Sequence, residues 1–182
     1  MTTFELGIGN AWLLSLPFFV LVTFPAMTRK DLVKRMSDMT GYTRGEKFCT
    51  VAASIAPYPF MLATIWVPFT SSRPLLYLGL LVSVLGMALA AASLKVIMSA
   101  PPNTLFTTGP YRFSRNPLYV SATVVFIGIC LATADIVLAG YLVLAVLLQH
   151  FMILAEERVC RLKHGEPFDR YVRLVPRYLV VF

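Results

Sequence analysis

A chain of 182 residues in which 58% are hydrophobic and only 14% charged, with a mean hydropathy of +0.74, lies well outside the range of an ordinary soluble domain. It has room for several membrane crossings of roughly 20 residues each, but not for a separate soluble domain beside them. Residues 1–182 therefore read as a single membrane domain, with three spans in 1–99 and a loop, a helical hairpin and a tail in 100–182. The net charge of +7 would suggest nucleic acid in a soluble protein. Here the basic residues flank apolar stretches, where anionic lipid headgroups meet them, so no nucleic acid partner is expected.

Five apolar stretches follow in chain order, at 8–27, 48–69, 75–99, 118–134 and 136–155, each long enough to span or nearly span ~30 Å of hydrocarbon. The N-terminus lacks a basic segment before the first stretch, so that stretch reads as a retained helix and not as a cleaved signal. Pro17 and Pro25 in the first stretch, and Pro57, Pro59 and Pro68 in the second, each remove a backbone donor. Membrane helices tolerate this, and the expectation is kinked helices, not broken ones. Between them, Leu32, Val33, Met36 and Met39 recur at helical spacing against Lys34, Arg35 and Asp38, which predicts a helix lying on the membrane surface. In the third stretch Gly79, Ser83, Gly86 and Ala90 form a row of small residues suited to close helix packing.

After Lys95 the breakers Pro101, Pro102, Gly109, Pro110 and Pro117 predict an ordered loop. The fourth and fifth stretches are separated by Asp135 alone. Read as one helix of ~38 residues they would be about 57 Å long, too long for one crossing, so a tight hairpin is expected. Residues 156–163 extend the last stretch until Gly165 stops it. Pro167 then opens an amphipathic tail helix on the membrane surface, with Phe168, Tyr171, Val172 and Val175 on one face, ending at Pro176.

Orientation follows from the lysines and arginines, which stay on the cytoplasmic side when they lie in short loops. Of the sixteen, all but Arg73 fall in the first loop, the third connection or the tail. That places the N-terminus outside and the C-terminus in the cytosol. The expected architecture is all-α and polytopic, with about five transmembrane helices. Cys49, Cys130 and Cys160 have no CxxC spacing and support neither a disulfide framework nor a zinc site.

The hairpin brings the start of the fourth span beside the end of the fifth, so Arg115, Asn116 and Tyr119 can meet Glu156 or Glu157. Ionisable groups at membrane depth are costly unless paired or hydrated, so such a convergence is a functional-site hypothesis. The plainer alternative is that Arg112 and Arg115 anchor to lipid phosphates while the glutamates solvate a helix end. His150 stands near the cytosolic end of the fifth span, one helical face from Glu157, and could take a proton from an amine or thiol acceptor. A histidine so placed is more commonly an interfacial residue.

Gly109, Tyr111, Arg115, Pro117 and Tyr119, then a membrane hairpin, then Glu156, Glu157, Gly165, Phe168, Tyr171, Val175, Pro176 and Arg177 are similar to the two signature segments of the isoprenylcysteine carboxyl methyltransferase and phospholipid methyltransferase superfamily. The resemblance covers roughly residues 103–178. It implies S-adenosylmethionine as methyl donor, no metal, and a lipophilic or membrane-associated acceptor, which could be an isoprenylcysteine-type carboxylate, a phospholipid amine or a thiol. Carried over by motif position, Asn103, Thr104, Leu105, Phe106, Tyr111, Asn116, Pro117, Leu118, Tyr119 and Glu156 contact the cofactor. Arg115, Asn116 and Glu157, with His150 a further candidate, serve the chemistry. Asn116 stands where the superfamily usually has a histidine, and Met152 where the lipidated-cysteine enzymes have an arginine; Asn116 hydrogen-bonds but takes no proton at neutral pH. Beyond membrane lipids and the acceptor no obligate protein partner is implied. The competing readings are an NADPH-dependent membrane reductase of the sterol type and a non-catalytic scaffold or transporter.

Overall fold

The computed structural model describes residues 9–29, 34, 37–101 and 104–179, and among these it is all-α without a strand. Helix α1 spans Trp12–Thr28, α2 Arg44–Ile55, α3 Pro57–Thr64, α4 Arg73–Ser99, α5 Pro117–Thr133, α6 Ile136–His164 and α7 Glu166–Leu174, with a 3-10 turn at Gly109–Arg112. The surface helix expected around Leu32 to Met39 falls largely outside the described residues. α4 and α6 are long and apolar enough to cross a membrane, with mean hydropathies of 2.3 and 2.2 over an 18-residue window of each. Much of their apolar surface points away from the protein, as at Leu78, Leu81 and Leu85 on α4 and Val143, Leu147 and Phe151 on α6. A row of leucines facing outward is at home in hydrocarbon, not in water.

Pro17 and Pro25 lie inside an unbroken α1, as expected. The second stretch is kinked, as expected, with Ala56 between the two segments still helical (φ -51°, ψ -35°) and its N–H on the Ala52 carbonyl at 2.9 Å, and it departs from expectation only in ending early. Pro57 and Pro59 cannot donate to the carbonyls of Ala53 and Ile55, so α2 ends at Ile55, α3 restarts at Pro57, and helix is lost after Thr64 instead of reaching residue 69. The segment that follows lies against the start of α1. Ala11 N–H donates to the Val67 carbonyl at 2.9 Å, Phe69 N–H to the Gly9 carbonyl at 3.0 Å, and Asn10 Nδ2 to the Ile65 carbonyl at 2.8 Å.

The small residues of α4 do what their spacing predicts. Gly79, Ser83, Gly86 and Ala90 are buried against Ser121, Val125, Gly128 and Ala132 of α5, so close that the Ser83 hydroxyl donates to the Val125 carbonyl at 3.4 Å. A Cβ on Gly86 would stand 2.8 Å from the Val125 nitrogen and 2.7 Å from its Cγ2. Phe60 of α3 stacks on Phe126 of α5 at 4.5 Å between centroids, and Phe18 of α1 meets the same ring edge-on at 5.7 Å. One aromatic knot thus joins α1, α3 and α5.

The hairpin forms as its sequence predicts. α5 stops where Ala134 turns left-handed (φ 53°), and Asp135 caps α6 by accepting from the Val137 and Leu138 amides, both at 2.8 Å. At the far end Gly165, at φ 58°, stops α6 and admits α7. The seam sets a first expectation. Gly86→Val should overpack the α4–α5 contact and destabilise by about 1–3 kcal/mol. Gly140→Ala, on α6 with open space around it, should be neutral or stabilising by about 0.5 kcal/mol. Thermal melting in detergent micelles compares the two.

Candidate functional site at the open end of the hairpin

Three chain segments meet where α5 begins and α6 ends. Pro117 starts α5 at its first turn, where a missing N–H costs nothing, and is itself fully buried. Immediately before it, Ser114, Arg115 and Asn116 are laced to the segment after α7. Arg115 N–H donates to the Pro176 carbonyl at 2.9 Å, Ser114 Oγ to the Arg177 carbonyl at 3.0 Å, and Asn116 Nδ2 to the same carbonyl at 3.3 Å. The tail lies across the loop as a strap.

Glu157 is the hub of this junction. Its Oε1 accepts from Arg115 Nε at 3.1 Å and Asn116 Nδ2 at 3.0 Å; its Oε2 accepts from Arg115 Nη2 at 3.2 Å and from Arg177 Nε and Nη2, both at 3.0 Å. Arg115 is 8% exposed and Glu157 13%, so these are interior charges that need each other. The remaining guanidinium nitrogen of Arg115 caps the end of α7, donating to the Val172 and Val175 carbonyls at 3.2 and 2.6 Å. Every donor of Arg115 that can reach a partner is thus engaged, and the Glu157 carboxylate has five donors on two oxygens. Asn116 Oδ1 keeps its acceptor capacity, with no partner among the described residues.

Glu156, one residue back, turns to a different surface of α6. Its Oε1 accepts from the Tyr119 hydroxyl at 2.6 Å. Tyr111 and Tyr42 both lie within electrostatic reach of the same carboxylate. Burial, then Tyr171 and Glu156, push the Tyr111 hydroxyl well above its ordinary value. Burial followed by Glu156, Cys160 and Glu46 does the same to Tyr42 against the pull of Arg158. Burial also pushes Tyr171 up to about 12, opposed by Arg115. All three are neutral hydroxyls at physiological pH, able to donate and accept. The Tyr171 hydroxyl donates to the Tyr111 carbonyl at 2.7 Å, so the tail helix turns its apolar side at Phe168 and Tyr171 towards protein. The Phe106 and Tyr111 rings lie 5.4 Å apart.

The structure therefore brings Arg115, Asn116, Tyr119, Glu156 and Glu157 together, with Tyr111 and Phe106 alongside. Thr104, Leu105 and Phe106 line a neighbouring cavity of about 420 Å³. Leu118 packs into the core instead of facing that space, and Pro117 is buried as the helix start. Asn103 lies outside the described residues. His150 hydrogen-bonds through Nδ1 to the Tyr178 hydroxyl at 2.7 Å, two turns from Glu157 on the same side of α6.

Three participants were not assigned to the site from sequence. Arg177 and Ser114 had signals, the first as the last residue of the tail motif and the second as Arg115's neighbour. Tyr42 had none, because its approach depends on a clamp between distant segments: Arg158 Nε donates to Glu46 Oε1 at 2.7 Å and Arg158 Nη2 to the Gly41 carbonyl at 2.7 Å. Thr43 and Glu46 form a capping box that starts α2 at that point.

Residues 98–166 match the family model described as phospholipid methyltransferase. Among curated proteins, the chain is similar to a nickel-cobalt-cadmium resistance protein, NccN, of Alcaligenes xylosoxydans xylosoxydans, at 36% identity over 74 residues. That segment is 41% of this chain and 35% of the relative, so the match spans about a third of that protein's length. No solved structure matches the chain.

The hub sets a second expectation. Glu157→Ala leaves two guanidiniums facing each other with their counter-charge gone, and should cost about 3 kcal/mol or more. Glu166→Ala removes an exposed pair with Arg170 one turn along α7 and should stay within about 0.5 kcal/mol. Denaturant titration in micelles measures both.

Proposed function

We propose, from the match of residues 98–166 to the phospholipid methyltransferase family model, that the protein is a membrane methyltransferase that moves a methyl group from S-adenosylmethionine to a lipophilic or membrane-associated acceptor. The observation that carries the reading is the junction of the two motif halves. Arg115 and Asn116 meet Glu157, and Tyr119 meets Glu156, although the partners are 37 to 42 residues apart in sequence.

The groups at the junction suit such a donor molecule. Phe106 and Tyr111 offer aromatic faces to an adenine. Glu156 and Asn116 Oδ1 offer acceptors to ribose hydroxyls and an amino group. Thr104, Leu105 and Tyr119 complete the contact surface together with Asn103, while Pro117 and Leu118 act from behind by fixing the helix start that carries Asn116 and Tyr119. When bound, S-adenosylmethionine supplies a methyl group on an already activated sulfonium. The protein's task is then positioning: a held donor and a held nucleophile in line gain effective concentration without metal or acid catalysis. In this reading Arg115 and Glu157 are positioning residues, since their polar atoms are occupied with each other and with the strap. His150 would have to give up Tyr178 before it could take a proton from an acceptor.

In the same reading the chain crosses the membrane about five times. The spans are α1, the kinked pair α2 and α3, α4, α5 and α6. The N-terminus is outside, and the site faces the cytosol. The distribution of lysines and arginines supports that orientation, because the junction lies on the side that carries all but one of them. The acceptor is a carboxylate, a phospholipid amine or a thiol.

Cofactor protection tests the proposal. A ligand at 100 times its Kd adds about 2.7 kcal/mol of stability, so S-adenosylmethionine should raise the melting temperature of the purified protein and NADPH should not. Glu156→Ala should abolish calorimetric binding of S-adenosylmethionine while the protein stays folded. Protection by NADPH alone would replace methyl transfer with reduction, and undiminished binding by the variant would remove Glu156 from the site.

A further inference from the structure

A second concave surface lies away from the glutamates, between α1 and α4. Leu21 and Phe24 of α1 line it with Leu94 and Met98 of α4 around about 340 Å³, and Lys95 and Ser99 belong to the same wall. Two observations set it apart from an ordinary lipid-facing crevice. The first is continuity. The same Lys95 and Ser99 open the cavity that runs over Thr104, Leu105 and Phe106, and Leu94, with Leu21 and Met98 against it, packs in one cluster with Tyr111 and Phe106. The groove thus runs from the outer surface of the helices to the loop assigned above to the cofactor.

The second observation is charge. Lys95 is exposed, and among the described residues its ammonium group has neither an ion-pair nor a hydrogen-bond partner. The Arg29 guanidinium donates to the Met98 carbonyl at 3.3 Å. An apolar trough with the unpartnered Lys95 ammonium on its wall is complementary to an amphiphile with one anionic head: the chain replaces hydrocarbon with hydrocarbon, and the head meets positive charge. A neutral or cationic head would find no such complement.

We infer that the α1–α4 groove seats a membrane lipid whose head carries net negative charge, with its chain along Leu21, Phe24, Leu94 and Met98 and its head on Lys95. The inference rests on the proposed function for one step: the occupant is the methyl acceptor, which narrows the acceptor class to acidic lipids. Seating the head at Lys95 places it at the mouth of the loop cavity, where a methyl donor held by Thr104, Leu105 and Phe106 is within the same connected space.

Photo-labelling tests this on the full chain in phosphatidylcholine nanodiscs. The probe is a diazirine-bearing C16 fatty acid, the comparator its methyl ester, and labelled peptides are mapped by mass spectrometry. The acid should label 21–25 and 91–99 about fivefold more than the ester, the factor that corresponds to about 1 kcal/mol per lysine. Lys95→Gln should bring the acid down to the ester's level, whereas Lys47→Gln, which removes another exposed cation at the start of α2, should not. Equal labelling by acid and ester, no labelling of either segment, or equal loss in both variants overturns the groove as an acidic-lipid site. Calorimetry with S-adenosylmethionine on Lys95→Gln runs in parallel. Retained binding shows the variant folded and confines the defect to the groove. If the wild-type protein labels as expected but binds no S-adenosylmethionine, the methyltransferase reading fails and the acidic-lipid site stands.

Discussion

The carboxylate of Glu157, shared between Arg115 and Arg177, is the interaction on which the geometry of the junction depends. A charge so little exposed is tolerated only when opposite charge and hydrogen bonds surround it, and here two guanidiniums and an amide supply both. Arg115 and Arg177 bring two guanidiniums to the one carboxylate of Glu157. Each guanidinium also belongs to a different segment, so neutralising one carboxylate draws the loop before α5 and the strap after α7 onto the end of α6. Carbonyls of Val172, Val175, Pro176 and Arg177 are satisfied by Ser114, Arg115 and Asn116 across the same junction.

The helices beneath provide a stiff base. The seam of Gly79, Ser83, Gly86 and Ala90 against α5 brings two backbones close enough for a hydroxyl on one to reach a carbonyl on the other, a contact with little room to shift. The hairpin at Asp135 fixes α6 relative to α5, and with it the spacing of Tyr119 from Glu156. The site is thus built on helix ends held by packing, while the groups proposed to meet a ligand are aromatic rings, neutral hydroxyls and one carboxylate.

Much of this was legible in the sequence because it is written in local terms. Asp135 between two apolar runs, Gly165 followed by Pro167, and small residues at helical spacing each carry a physical consequence that does not depend on the rest of the chain. The convergence of Arg115, Asn116 and Tyr119 with the glutamate pair followed from the hairpin alone. The kink between α2 and α3 was legible, because Pro57 and Pro59 strip the Ala53 and Ile55 carbonyls of donors, whereas the early end of α3 at Thr64 carried no comparable local signal. The approach of Tyr42 was illegible because it rests on Arg158 finding Glu46, 112 residues away. Arg177 was visible as part of a motif, but its role as second counter-ion of Glu157 depends on where α7 directs the chain.

Hydrogen exchange on the intact chain in nanodiscs, comparing wild type with Glu157→Gln, tests most directly whether this carboxylate ties loop and strap into one unit. The account predicts that amides in 109–116 and in 168–177 lose protection together and by similar factors, while those in the α4–α5 seam keep theirs. Loss confined to one of the two segments, or to neither, would contradict it.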